Sequence, residues 1–407
     1  MNRFITLVIG LALLAGCGGP PADPTPKQAP PPTDPAPQAP AQVTPKTPTP
    51  TAQGVSPSAA PTGALRADLP RLEPVVRFQL PGKHVRAYER SVQLSADGKL
   101  VALGSDAPKY ESLTQVWQLG SRPKPVFTSP ASYGGGVFAL SPGGKRLLIS
   151  GTSSPEAFDV DTAKSLCKPT GTYRFSHAFF RDESVAVWTQ RSHDVSKPEK
   201  RKVFVWDVVK NADAGTFEVA DDRFRGAYPV RNGAELWLFQ SAERFEVECY
   251  DVAAMKLGRT IKPEPDAPGK PFTSAGIWQA VAPDGSAFAA NDTQLRIYDG
   301  TTGKVVGRLP GDVYGLPEGL VPGGPRYLAR TGGNKAMGGT VVPNDLVLID
   351  WKAGRGLAVL GGFSPVPAEP LQGTDADPRA GVSADGKTAV VVSLLGEVLV
   401  FDLSGFK

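Results

Sequence analysis

The sequence is poor in the residues that build metal centres and disulfide frameworks. Its 407 residues include three cysteines and three histidines. The histidines, His84, His177 and His193, share no ligand spacing, so we expect no metal and no cofactor. Cys167 and Cys249 fall on predicted strands two repeat units apart, too far for a disulfide. We therefore predict that both are buried free thiols.

Strong charge and long apolar runs are also missing. The formal net charge is +4, which is small for this length and gives no argument for nucleic-acid binding. A helix that spans a bilayer needs about 20 apolar residues. The apolar run at the N-terminus, residues 4–14, is too short for this and is typical of a secretory signal.

Catalytic motifs are scarce, and the most tempting match fails on context. Residues 381–388 fit the phosphate-loop pattern G-x-x-x-x-G-K-[ST], which requires a helix after it. The β-type run 389–392 follows instead, so we interpret the match as a hairpin turn. No G-x-S-x-G motif is present, and Asp375 and Asp377 lack the further oxygen ligands of a calcium site. We predict no catalytic residue.

The segment after the apolar run ends in Leu14-Ala15-Gly16-Cys17. It resembles the lipobox of bacterial lipoproteins, which implies cleavage before Cys17 and attachment of a diacylglycerol to its sulfur. Residues 1–16 would then be a signal peptide, and the lipid would anchor the chain to a membrane. In the same family, Gly18 after the cysteine favours the outer over the inner membrane. The alternative is an ordinary secretory signal with a chance cysteine.

A proline-rich segment separates this region from the rest. Fifteen of the 42 residues in 20–61 are proline, mixed with alanine, threonine and glutamine. Such a composition buries no core and favours extended chain. Residues 20–61 would reach at most about 130 Å. We assign residues 17–71 to the lipidated cysteine and a disordered linker.

A unit of short β-type runs recurs seven times in residues 72–407. Each unit has a tight turn such as Ala96-Asp97-Gly98-Lys99, and its third run ends in an aromatic or branched residue followed by aspartate. In the first unit Gln118 replaces the aspartate. Seven units of about 48 residues predict an all-β fold, a seven-bladed β-propeller. The aspartates should accept hydrogen bonds from the next turn, and the aromatics should pack between blades.

The ends of the chain predict how the ring closes. The last unit stops after its third strand, whereas residues 74–82 resemble the fourth strand of the fifth unit, residues 305–311. We therefore expect residues 75–80 to pair antiparallel with residues 398–403. This pairing would complete the last blade and remove an open sheet edge.

The unit resembles WD40-type repeats, and more closely the WD40-like and YVTN-type propellers of bacterial envelope proteins. The resemblance covers residues 72–406. It departs from the eukaryotic pattern because the sequence has no Gly-His dipeptide and a single Trp-Asp, at Trp206-Asp207.

Loop lengths favour one face of the ring as an interaction surface. The loops that join second to third strands and successive blades are long, at 105–114, 189–202, 262–275, 331–344 and 362–378. Loops on a rigid scaffold are where binding residues usually lie. The candidate interaction residues on them are Arg191, His193, Lys197, Lys200, Arg201, Lys202 and Lys335. The alternative is an ordinary solvated surface.

These features together favour a non-catalytic, lipid-anchored scaffold of the bacterial cell envelope. We expect it to be a monomer that contacts the membrane through its lipid and binds an unidentified envelope protein. Two alternatives stay open: a propeller enzyme of the hydrolase, lactonase or quinoprotein type, and a ligand or glycan sensor. Converging carboxylates or histidines at the channel mouth would favour the enzyme, and an aliphatic wall would favour the scaffold.

Overall fold

The computed structural model describes residues 69–81, 92–107, 111–129, 138–150, 155–169, 175–190, 201–219, 226–240, 245–265, 279–291, 295–309, 313–331, 346–361, 379–393 and 396–406. Within these ranges the regular elements are 29 β-strands in seven sheets. They contain no helix of the length and apolarity needed to cross a membrane. The predicted signal, Cys17 and the proline-rich segment 20–61 lie outside the described residues.

Two short strands precede the first blade, and the next four blades each contain four strands. The leading strands are β1 (Arg71–Leu72) and β2 (Val76–Gln79). Blade one has β3 (Val92–Leu94), β4 (Leu100–Ala107), β5 (Glu111–Gln118) and β6 (Lys124–Thr128). Blade two has β7 (Phe138–Leu140), β8 (Arg146–Ser150), β9 (Pro155–Asp159) and β10 (Ser165–Cys167). Blade three has β11 (Phe175–Phe180), β12 (Val185–Gln190), β13 (Lys202–Asp207) and β14 (Ala212–Glu218). Blade four has β15 (Gly226–Val230), β16 (Glu235–Phe239), β17 (Val247–Asp251) and β18 (Lys256–Ile261).

The last three blades complete the ring. Blade five has β19 (Gln279–Val281), β20 (Ala287–Asn291), β21 (Leu295–Asp299) and β22 (Val305–Arg308). Blade six has β23 (Val313–Val321), β24 (Arg326–Thr331), β25 (Leu346–Asp350) and β26 (Arg355–Leu360). Blade seven has β27 (Arg379–Val382), β28 (Thr388–Val392) and β29 (Glu397–Asp402). The first strand of blade seven contacts the first strand of blade one, so the predicted seven-bladed propeller is confirmed.

The core is divided among the contacts between blades. Seven clusters of buried apolar side chains occur, one between each pair of neighbouring blades. Blade three shows how one strand serves two clusters. Phe179 packs towards blade four, whereas its neighbours Ala178 and Phe180 pack towards blade two. Side chains that alternate between two apolar faces explain why the strands carry nearly continuous apolar runs.

The ring closes as the chain ends predicted. β2 pairs antiparallel with β29, and Phe78 lies opposite Val398. Backbone hydrogen bonds from Val75 to Val400 (2.8 Å) and from Leu80 to Gly396 (2.9 Å) extend the pairing. The ring of Phe78 lies 4.6 Å from that of Trp117 of blade one, between centroids. One strand from each end of the chain thus completes blade seven.

A fifth strand on blade six was not predicted. β1 pairs in parallel with β26, with Leu72 opposite Leu360, and the Val359 amide donates to the carbonyl of Pro70 (2.9 Å). Leu69 packs into the cluster between blades five and six. Residues 69–71, which composition assigned to the linker, therefore contact the propeller.

One predicted loop is a strand pair. Residues 105–114 were expected to form a long connection, yet β4 and β5 continue pairing to Ala107 opposite Glu111. The prediction was wrong because it ended the two strands where their apolar runs end. The backbone hydrogen bonds of a hairpin do not depend on apolar side chains.

Candidate interaction sites on the ring

Strands alternate in direction, so two sets of turns lie on one face, which we call the turn face. These turns join the first strand of a blade to the second and the third to the fourth. They fall within the described residues, whereas the long loops of the opposite face lie mostly outside them. The described chemistry of this protein is therefore that of the turn face and of the channel end it surrounds.

Aspartates cap the turns after the third strands, as predicted. Asp299 Oδ1 accepts from the Thr301 amide (3.0 Å), the Thr302 amide (2.7 Å) and the Thr302 hydroxyl (2.8 Å). The backbone hydrogen bond from Thr302 is the largest cause that holds the pKa of Asp299 below its usual value. Equivalent hydrogen bonds are made by Asp159, Asp207, Asp251, Asp350 and Asp402.

The turns between first and second strands sit against the preceding blade. In five of them a glycine makes this approach, because an added Cβ would overlap an atom of the neighbour. Each of the five approaches the blade before its own: Gly98 approaches blade seven, Gly144 blade one, Gly233 blade three, Gly285 blade four and Gly386 blade six. Backbone hydrogen bonds from Ala96 to Pro142 (2.7 Å) and from Arg231 to Pro283 (2.7 Å) reinforce two of these contacts.

Blade three reaches its neighbour with a carboxylate instead. Glu183 Oε2 accepts from the Ser141 hydroxyl of blade two (2.8 Å), and Glu183 Oε1 accepts from the Gly143 amide. In the turn of blade one, the corresponding serine, Ser95, donates to the aspartate of its own turn, Asp97 (2.8 Å). Glu183 thus supplies to blade two the acceptor that its Gly-Gly turn lacks.

Blade six is the exception among these described turns. An added Cβ at Gly323 would meet no atom of blade five, and its nearest neighbour would be Arg326 Nη2 of its own blade, at 3.7 Å. Pro283 of blade five has no N–H, so it cannot make the backbone hydrogen bond that Arg231 makes. A cavity of about 340 Å³ lies here, lined by Ala282, Asp284, Ser286, Ala287, Leu320, Val321, Pro322, Gly323, Gly324, Pro325, Trp351 and Lys352.

The central channel forms a second cavity, of about 260 Å³, at the turn face. Its wall comes from the first strands and following turns of all seven blades: Val92, Gln93, Leu94, Ala96, Leu140, Pro142, Ala178, Phe179, Phe180, Tyr228, Pro229, Asn232, Val281, Pro283, Leu320, Pro322, Gly381, Val382 and Ala384. None of these lining residues, all within the described ranges, is a carboxylate or a histidine. This end of the channel therefore has a mostly apolar wall.

The polar groups of that wall tie neighbouring blades together. Gln93 Nε2 donates to the Phe138 carbonyl (2.8 Å), and its Oε1 accepts from the Leu140 amide (2.9 Å). The Tyr228 hydroxyl donates to the Gln279 carbonyl (2.9 Å). These hydrogen bonds hold adjacent first strands together, so the Gln93 and Tyr228 side chains have a structural role.

Two of the seven candidate interaction residues lie within the described part of the chain. Arg201 is half-buried just before β13, and Lys202, the first residue of that strand, is exposed. Arg191, His193, Lys197, Lys200 and Lys335 lie outside the described residues, as do Asp375 and Asp377. The basic loop therefore stays a prediction.

Two further sequence predictions are confirmed. Cys167 and Cys249 are free and buried, and burial raises the pKa of each thiol to about 11. The phosphate-loop match at 381–388 is the hairpin between β27 and β28, since Thr388 opens a strand rather than a helix. Across the described residues, no group of three or more metal-binding side chains comes together.

Fold and interior together define a seven-bladed β-propeller. No family model matches the sequence, and no curated protein matches it either. The chain is similar to a solved structure described as the crystal structure of a mitotic checkpoint complex, with 15% identity and a TM-score of 0.56. The match covers 85% of this chain and 96% of that chain. At this identity the similarity establishes the fold.

Proposed function

We propose that this chain is a lipid-anchored propeller of the bacterial cell envelope, with WD40-like or YVTN-type repeats, that acts as a non-catalytic scaffold for protein interaction or assembly. The observation that carries the proposal is the apolar wall at the turn-face end of the channel. An enzyme site there would need converging ionisable groups. A chain of similar fold belongs to a protein complex, which agrees with a scaffold.

The anchor of the proposal is Cys17, in the lipobox-like segment before the proline-rich linker. Two acyl groups would give stable attachment, because each buried methylene contributes about 0.8 kcal/mol. Cys17→Ser should release the protein into the soluble fraction or leave it unprocessed. Membrane retention of a normally cleaved Cys17→Ser protein would contradict lipid anchoring. Fractionation of the wild type distinguishes attachment to the outer membrane from attachment to the inner membrane.

The scaffold half of the proposal is tested by partner capture from envelope extract with the full chain. Charge reversal of Arg191, Lys197 and Lys200 to glutamate should abolish capture of a specific protein that rebinds after purification. The matched control reverses Lys124 and Lys164, which are exposed lysines of the turn face. Equal capture by both variants would show that the basic loop is not the binding surface. Turnover of ester, lactone or alcohol substrates by the purified chain would favour the enzyme instead.

A further inference from the structure

The gap between blades five and six is a cavity with an apolar floor and a charged rim. Leu320 and Ala287 are buried in its floor, and the half-buried ring of Trp351 forms one side. At the rim, Asp284 and Lys352 are exposed and bear opposite charges. A cavity of this kind suits a large apolar side chain flanked by one cation and one anion.

The described chain begins beside this cavity. Leu69 packs in the same apolar cluster as Leu320 and Trp351, and an added Cβ at Gly356 would meet the Leu69 side chain. Since β1 runs parallel to β26, the chain that precedes it leads towards the start of β26. That end of β26 follows the turn of Trp351 on the turn face. Leu69 therefore lies at the end of β1 that is nearer the face on which the cavity opens.

The preceding residues have the complementary chemistry. Residues 61–68 read Pro-Thr-Gly-Ala-Leu-Arg-Ala-Asp, with Leu65 as their one large apolar side chain. Arg66 and Asp68 supply one cation and one anion, the charges that complement Asp284 and Lys352 at the rim. Leu65 lies four positions before Leu69, a distance of at most about 14 Å along extended chain.

We propose that residues 61–68 of this chain occupy the cavity between blades five and six, with Leu65 in the apolar floor. Arg66 faces Asp284, and Asp68 faces Lys352. Attachment to Leu69 gives the segment a millimolar effective concentration at the cavity, so weak contacts are enough to hold it. The segment supplies to blade six the contact with blade five that the other described turns make directly. This inference does not depend on the proposed function.

Trypsin cleavage of the full chain tests the docking. Arg66 should be cut at least about tenfold more slowly than Lys46 of the proline-rich segment, because cleavage follows the undocked population. Leu65→Ala should raise the rate at Arg66 towards that of Lys46. The matched control, Val55→Ala, changes an apolar residue further up the linker and should leave the rate unchanged. A free peptide of residues 60–70 gives the intrinsic rate for each sequence.

Changes in the cavity test the same contact from the other side. Ser286→Phe fills the mouth and should expose Arg66, whereas Thr301→Phe, at an exposed turn residue of the same blade, should not. Lys352→Asp should raise cleavage at Arg66. The control is Lys304→Asp, a charge reversal at another exposed lysine of the turn face, which should leave cleavage at Arg66 unchanged.

Three results would overturn the proposal. The first is equal cleavage at Arg66 and Lys46 in the wild type, corrected by the free peptide. The second is protection that survives both Leu65→Ala and Ser286→Phe. The third is protection that falls on dilution of the protein, which would assign the cavity to the same segment of a second copy.

Discussion

Two turn glycines allow a controlled test of the contacts between blades. Gly386 and Gly323 both adopt positive φ, +68° and +77°. An L-residue in this region costs about 1–2 kcal/mol, so Gly→Ala at either position carries that penalty. At Gly386 the new Cβ would also overlap the carbonyl oxygen of Pro322, a backbone atom of blade six, and would lie 3.1 Å from Arg326 Nη2. At Gly323 it would make only an ordinary contact, 3.7 Å from Arg326 Nη2.

The difference between the stability losses of the two variants measures the cost of the clash between the turn of blade seven and the backbone of blade six. Overpacking against atoms that cannot yield costs about 1–3 kcal/mol. Gly386→Ala should therefore lower the free energy of unfolding by about 2–5 kcal/mol, and Gly323→Ala by about 1–2 kcal/mol. Urea denaturation followed by tryptophan fluorescence measures both, with midpoints compared at equal slope. Equal losses would refute the claim that the turn of blade seven rests on blade six.

Three further predictions concern the aspartate caps, ring closure and the thiols. Asp299→Ala should cost on the order of 1 kcal/mol at neutral pH, and Asp375→Ala, in a predicted loop, within about 0.5 kcal/mol. Because the folded-state pKa of Asp299 is lowered, its contribution holds above its unfolded pKa and fades as pH falls through the folded value, so Asp299→Asn should flatten acid denaturation curves. A chain that begins at Tyr88 should melt lower and self-associate by gel filtration, unlike one that begins at Leu69. Both buried thiols should react with a disulfide reagent at pH 8 only after unfolding.

Local chemistry that repeats was predictable from the sequence. Asp299 and its equivalents follow a strand and precede a short turn, so their acceptor role depends on neighbours two or three positions away. The closing strand was recognisable because it repeats the pattern of another fourth strand. Both predictions rest on comparing one unit of the chain with another.

Contacts that break the repeat were not predictable in this way. β1 contains two residues, too few to show a period, and its partner β26 lies almost 290 positions away. The cavity between blades five and six exists because the turn of blade six at Gly323 does not contact blade five. One signal was present: the turn Pro322-Gly323-Gly324-Pro325 carries no aspartate and has proline on both sides of its glycines.

The shared construction of blade seven links two segments that lie far apart in the chain. Phe78 and Val398 are 320 positions apart, and each needs the other's strand. A premature stop before residue 397 would remove β29, the partner of β2 and the cover of the Phe78 and Trp117 rings. Loss of residues 397–407 would thus have the same consequence as loss of β2. A truncation that removes β29 should therefore also destabilise β2, about 320 positions earlier in the chain.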